Sequence, residues 1–233
     1  MNPFDLNALE AAVQMSEKIE AEIIVLSMGP PSAENALREA IARGAHKGIL
    51  LSDRKFGGSD VKATALTLSA GINHIGDYDL IIAGMQTVDG DTGQVGAEVA
   101  EILGIPQISY VEELNDFDDE SVTVTTNIWE GLYLKKIKFP ALMTVTKEIN
   151  DPRLPSFKNK MKARKAEITL WGQNELRDYL REDQIGLKGS ATKVKKIEVP
   201  AAAVREGKLW RDNHTEAVDV LYDLFEVKKV LEG

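Results

Sequence analysis

The stretch from Asp79 to Gly104 holds the residues best placed to do chemistry. It reads D-L-I-I-A-G, then M-Q-T-V, then D-G-D-T-G-Q-V-G, then A-E-V-A-E-I-L-G. Gly90, Gly93 and Gly96 recur at every third position, among Thr87, Asp89, Asp91 and Thr92. Glycines let a backbone come close to a ligand, and a helix start offers unpaired N–H groups with a partial positive charge. A strand, a glycine-rich loop and a helix in that order can therefore aim amides at a phosphate. The spacing is neither the dinucleotide fingerprint nor the Walker loop, and no Gly-Lys-Ser/Thr follows. By spacing alone an ordinary tight turn between a strand and a helix fits as well. Asp89 and Asp91 would repel a bare anion, so they are expected to turn inward and accept from loop amides. Thr92 or Asp91 could cap the helix that follows. The ligand this favours is a nucleotide held mainly by backbone.

Other chemistry is scarce. Gly57-Gly58-Ser59-Asp60 has the look of a pyrophosphatase loop, but Phe56 stands where the leading serine belongs. His46, His74 and His214 are far apart, with no carboxylate at ligand spacing, so no metal site is expected. No Ser–His–acid set or carboxylate pair stands out, and no catalytic residue is assigned. Lys158, Lys160, Lys162, Arg164 and Lys165 form a basic run, ordinarily a solvated face, with an acidic partner or flavin phosphates as the alternative. The chain has no cysteine, which excludes disulfides and thiolate chemistry. Its net charge of −9 disfavours nucleic acid and anionic membranes. No apolar run approaches a membrane span, and a cytoplasmic protein is the default expectation.

The elements that must position the loop alternate. Asn2 to Glu20 reads as an amphipathic helix with Pro3 in its first turn and Asn2 as its cap. Glu22 to Met28 is a buried strand closed by Gly29-Pro30-Pro31, and Ser32 to Gly44 a helix capped by Ser32. Gly48 to Ser52 and Ser59 to Asn73 repeat the pattern. That alternation gives an α/β fold, a parallel sheet flanked by helices. Ile105 to Leu114, Ser121 to Trp129 and Leu132 to Phe139 then read as an antiparallel β extension with a turn at Glu130-Gly131. Ala141 to Val145 is another buried strand. The division expected is a nucleotide-binding α/β domain over 1–150 and a C-terminal arm over 151–233. The arm is polar and poor in strands, and ends in an amphipathic helix from Glu216 to Leu231. Val218, Leu221, Leu224 and Phe225 on that helix want a partner chain.

The loop run G-M-Q-T-V-D-G-D-T-G-Q-V-G resembles the nucleotide-binding segment of the β subunit of electron transfer flavoproteins. So do N-P-F-D-L-N-A-L-E-A-A at Asn2, L-S-M-G-P-P at Leu26 and L-L-S-D-R-K-F-G-G-S-D at Leu50. P-A-L-M-T-V-T-K-E-I-N-D-P-R at Pro140 and M-K-A-R-K-A-E-I at Met161 match further on. The resemblance runs in order along nearly the whole chain. A signature region matches at Glu130, Gly131, Pro140 and Ala141 but departs at Leu132 and Asn127. Family members begin with a strand and a K-Q-V-P-D-like loop ahead of the N-P-F-D segment, where this sequence starts. A first strand at the sheet centre is therefore expected upstream.

The resemblance implies an adenine-nucleotide α-hydrolase-like fold and an electron carrier, not an enzyme with substrate chemistry of its own. It implies a heterodimer whose α subunit shares FAD with it, while this chain holds AMP, or a second FAD in bifurcating members. Carried over by position, that second site takes Asn2, Pro3, Phe4 and Asp5, Met28 through its backbone, Gly84, and Gln86 to Val95. Within the last stretch Gln86, Thr87, Val88, Asp89, Gly90, Asp91, Thr92, Gly93, Gln94 and Val95 all belong, and the amides of Thr87, Gly90 and Thr92 to Val95 would face the phosphate. Lys193 and Val194 match the loop that docks acyl-CoA-type or other flavin dehydrogenases. The competing reading is a nucleotide-binding module or adenylating enzyme on the same fold. Adenylation needs a Lys, Arg or metal clamp beside the phosphates, and the loop offers none.

Overall fold

The computed structural model describes residues 1–129, 131–195, 210–211 and 213–227, in two compact units, Met1–Lys193 and Val194–Gly233. In the first unit the elements run α1 (Pro3–Ser16), β1 (Ile24–Met28), α2 (Glu34–Arg43), β2 (Lys47–Leu51), α3 (Val61–Ile75), β3 (Leu80–Gly84) and α4 (Val95–Leu103). Then come β4 (Gln107–Phe117), β5 (Ser121–Ile128), β6 (Gly131–Lys138), β7 (Ala141–Val145), α5 (Phe157–Arg164), β8 (Ile168–Trp171) and the single turn α6 (Gly186–Gly189).

The strands form two sheets, ordered β1-β2-β8 and β3-β7-β4-β5-β6. The first is all parallel, with Met28 opposite Leu51 and Leu51 opposite Trp171. In the second, β3, β7 and β4 are parallel, with Gly84 opposite Val145, and β5 and β6 extend it antiparallel. The central strands are the apolar ones: Leu50, Leu51, Leu142, Met143 and Val145 are all at most 2% exposed. A strand covered on both faces can be continuously apolar, and this is why short unbroken runs marked the parallel strands. Among the described residues β1 pairs only with β2, and β3 only with β7.

Helices hold the two sheets together. On α1, Ala8 and Met15 pack into the core of the larger sheet, while Leu9 and Val13 join Ile23, Ala40 and Ala45 beside the smaller one. Elsewhere Leu26 of β1 and Ile81 of β3 meet in one cluster with Ala65 and Ile72 of α3 and Val99 and Ala100 of α4. The 151–193 segment belongs to this unit. β8 completes the smaller sheet, and Arg38 of α2 donates to the carbonyls of Ala163, Arg164 and Ala166, closing the C-terminal end of α5. The basic run lies on α5, where only Ala163 is buried, so its lysines form a solvated face.

Several local expectations shift. Asn2 precedes α1 but makes no side-chain cap; α2 starts at Glu34 after a short 3-10 turn at Pro31–Ala33; and the N-cap of α4 is Gln94, also without a side-chain bond. The β5–β6 turn passes through Trp129, with Glu130 outside the described residues. In the second unit α7 spans His214–Val227, and residues 228–231 of the expected helix lie outside the described set.

Candidate functional site

The C-terminal ends of β3 and β7 lie side by side, joined by a bond from the Met85 amide to the Val145 carbonyl (2.9 Å). Over that edge sits the start of α1. Asp5 Oδ1 accepts from the Gly84 amide at 2.9 Å. Asn2 Nδ2 donates both to Asp5 Oδ2 at 3.0 Å and to the Gln86 carbonyl at 2.9 Å. Asn2 and Asp5 thus bracket the point where the strand becomes the loop. A glycine is required here, since a Cβ on residue 84 would lie 2.6 Å from Phe4 Cβ and 2.7 Å from Asp5 Oδ1. Among the described residues Asn2 Oδ1 is buried without a hydrogen-bond partner.

Beyond the bracket the loop folds on itself. The Asp91 amide donates to the Thr87 carbonyl at 2.9 Å, and the Gly90 amide to Asp89 Oδ1 at 2.8 Å. The Thr87 hydroxyl and the Gly90 amide hold the Asp89 carboxyl below its ordinary range. Asp89 therefore accepts from a loop amide as expected, but the amide it takes is that of Gly90, which was expected to face the phosphate, and among the described residues the Asp91 carboxylate accepts from none. Asp91 has φ 52° and Gly93 φ 64°, two left-handed residues that reverse the chain before α4. Asp and Gly are among the residues that adopt that region most readily.

Among the described residues no group accepts from the amides of Thr92, Gly93 or Gln94. The first turn of α4 adds amides that its geometry leaves without intrahelical partners, and Gln94 supplies no side-chain cap. The result is a row of free N–H groups at a positive helix end, on an exposed loop, at the carboxyl edge of a parallel sheet. It fits a phosphate. No Lys or Arg occurs between Gly84 and Val95.

Beside the loop an open cavity of about 560 Å³ is lined by Phe4, Met85, Tyr110, Glu112, Asn127, Thr146, Lys147 and Glu148. Lys147 Nζ lies 4.6 Å from the centre of the Phe4 ring. Tyr110 has φ 60°, an unusual conformation for an aromatic residue. Phe4 was expected at the site and Met85 lies within the matched loop run. Asn127 marks a departure in the signature region, and Thr146, Lys147 and Glu148 fall in the matched segment from Pro140, but no role here had been assigned to them, and Tyr110 and Glu112 carried no signal.

The other expected residues fall elsewhere. Pro3 occupies the first turn of α1. Met28 ends β1 in the smaller sheet, and no hydrogen bond among the described residues joins it to the bracket. Val88 is 66% exposed at the loop tip. Lys193 and Val194 are exposed, Val194 to 81%. His46 Nδ1 accepts from the Ile23 amide and His74 stacks edge-on against Trp171, so both are structural. Among the described residues no group of acids and histidines could hold a metal ion, and no helix is long and apolar enough to cross a membrane.

A family model described as electron transfer flavoprotein domain matches residues 1–176. The chain belongs to the electron transfer flavoprotein family. It is 44% identical over 196 residues to an electron transfer flavoprotein subunit beta from Clostridium acetobutylicum, covering 84% of this chain and 74% of that one. A second subunit beta, from Thermoanaerobacterium thermosaccharolyticum, is 40% identical over 232 residues, 99% of this chain and 87% of the relative. The caffeyl-CoA reductase-Etf complex subunit CarD of Acetobacterium woodii is 41% identical over 203 residues, 87% and 76% of the two chains. Such subunits are electron carriers, and the expected kind of protein stands.

Proposed function

We propose that this chain is the β half of a cytoplasmic heterodimer, passing electrons between flavin dehydrogenases and a downstream acceptor. The observation that carries the reading is the braced loop with its free amides: Asn2 and Asp5 fix its entry, Asp89 its turn, and among the described residues the Thr92, Gly93 and Gln94 amides have no acceptor at the start of α4. Those amides would hold the phosphate of AMP, or of a second FAD. A flavin, when bound, supplies the redox chemistry; the protein binds it, orients it and tunes its surroundings. With two carboxylates and no cation in the loop, a nucleotide there is a resident ligand rather than one whose phosphoryl group is transferred.

The homologous α subunit is the partner that would share FAD with this chain. Val218, Leu221, Leu224 and Phe225 on α7 are 40–63% exposed, and in the heterodimer they would lie against that subunit. Lys193 and Val194 would meet the donor, a flavin dehydrogenase of the acyl-CoA type. The CarD relative is named as part of a complex with a CoA-thioester reductase, which supports a CoA-ester oxidoreductase as the class of partner.

The test is to co-express the chain with its α subunit, purify the pair, and mix it with a substrate-reduced acyl-CoA dehydrogenase. Bleaching of the heterodimer's flavin absorbance, with reoxidation of the dehydrogenase, is expected. A flavin-free chain that shows no association with the α subunit would overturn the reading.

A further inference from the structure

The Gly57–Asp60 turn finds its role far along the chain. Asp60 Oδ1 accepts from the Ala63 amide and caps α3, at 3.1 Å. Its other oxygen, Oδ2, takes both the amide and the hydroxyl of Thr192, at 2.9 and 3.2 Å. The Asp60 amide donates to Ser190 Oγ at 2.8 Å, and Ser190 in turn donates to the Gly186 carbonyl at 2.7 Å. The Gly186 amide donates to Ser59 Oγ at 3.2 Å. Residue 186 has φ 54°, and any side chain there would run into the Lys55 carbonyl. Gly58, Ser59 and Asp60 therefore grip the segment 186–192, from roughly 130 residues away.

One carboxylate thus serves two elements, a helix start and a distant loop. Burial alone would raise the Asp60 carboxyl, but the bonds from Ala63 and Thr192 outweigh it and hold it below its ordinary range. Thr192 is itself exposed, as are Lys193 and Val194 after it. Without Oδ2 nothing else described fixes Thr192, and two further residues could swing through about 7 Å of chain.

We propose that Asp60 is the positioning residue of the dehydrogenase-docking loop, its carboxylate holding Thr192 so that Lys193 and Val194 are presented in one place. This rests on the docking reading given above. Ordering the loop before the encounter removes an ordering cost from docking, so the gain appears in the affinity for the donor and not in electron transfer once bound. The bracket at Asn2 and Asp5 shares no residue with this latch, so nucleotide content is independent of it.

The test uses the co-expressed heterodimer with the acyl-CoA dehydrogenase, from a purified panel, whose flavin the wild type reoxidises. Asp60→Asn keeps one acceptor for the cap of α3 but replaces the other with an NH₂ that cannot accept from Thr192. KM for the dehydrogenase should rise about tenfold, with kcat, flavin and nucleotide content unchanged and faster hydrogen exchange at the Thr192 amide. Thr192→Val, losing only the hydroxyl bond, should fall between, and Thr192→Ser should match the wild type. Val194→Glu reads the docking surface directly. If it raises KM while Asp60→Asn and Thr192→Val leave KM within twofold, the positioning role is refuted. If Val194→Glu is silent, the docking reading fails and this inference with it.

Discussion

Replacing Gly84 with alanine tests the bracket at its tightest point. The added Cβ would sit 2.6 Å from Phe4 Cβ, 2.8 Å from the Phe4 carbonyl carbon and 2.7 Å from Asp5 Oδ1. Two of those are backbone or the first side-chain atom, so no rotamer relieves the clash. The start of α1 must move off β3, and the bond between the Gly84 amide and Asp5 lengthens or breaks. Overpacking of this kind costs about 1–3 kcal/mol, and a hydrogen bond to a carboxylate about 1.5–3 kcal/mol. The two overlap, since relieving the first loses the second, so about 2–4 kcal/mol is expected. For a chain of this length that corresponds to about 5–15 °C in melting temperature. Scanning calorimetry of the heterodimer gives the shift, and native mass spectrometry the nucleotide. Both should fall together, because the same displacement frees Gln86 from Asn2. A variant with the wild-type melting temperature and full nucleotide occupancy would refute the bracket.

Three further outcomes follow from other parts of the structure. Gly93→Asp should lose the nucleotide while Gly93→Asn largely keeps it, because both tolerate a left-handed backbone but only Asp sets a charge against the phosphate; equal occupancy in the two variants would show that charge at this point is irrelevant. Arg153 pairs with Glu10 at 2.8 Å and with Glu17, and Glu10 is only 5% exposed, so Arg153→Ala should destabilise by about 1.5–3 kcal/mol in urea unfolding. Burial would raise the Glu10 carboxyl, but its bonds to Arg153 bring it below the ordinary value. A depressed carboxylate stabilises the fold above its unfolded value, about 4.3, and loses that contribution as pH falls through the folded value. The wild type should therefore lose stability between roughly pH 5 and 3 more steeply than Arg153→Ala; parallel slopes would remove Glu10 from the acid sensitivity. Deleting residues 212–233 should abolish heterodimer formation on size exclusion while leaving the first unit folded by circular dichroism, since four exposed apolar side chains represent about 6–12 kcal/mol of burial before ordering costs.

The parallel strands were legible as short, mostly apolar runs; β2 and β7 are buried as such runs imply, whereas β1 and β3, expected to be buried, are half-buried along their length. Ala141–Val145 was read to the residue, and Leu80–Gly84 to within one. The loop's inward Asp89 was legible too, since its bond to the Gly90 amide is local. What the sequence hid is held together over distance. Asn2 and Asp5 meet Gln86 and Gly84 about 80 residues away, and neither position shows more locally than a helix cap. Thr192 meets Asp60 across 132 residues, so the Gly57–Asp60 turn showed locally only an incomplete phosphate motif, with Phe56 in place of its leading serine. The four residues of β8 were passed over because a run that short, in a polar segment, acquires its meaning only from β2 beside it. Local geometry at the start of α4 also escaped the sequence, where Asp91 and Gly93 are left-handed and the cap is Gln94 rather than Thr92 or Asp91.

The most direct test of the nucleotide site is the ligand content of the co-expressed heterodimer, released by acid and quantified by chromatography. Wild type should yield the flavin shared with the α subunit and one further adenine nucleotide per β chain, AMP or FAD. Gly93→Asp should yield the shared flavin alone. Wild-type protein with no second nucleotide, or Gly93→Asp with an undiminished one, would contradict the assignment of the Gly84–Val95 loop.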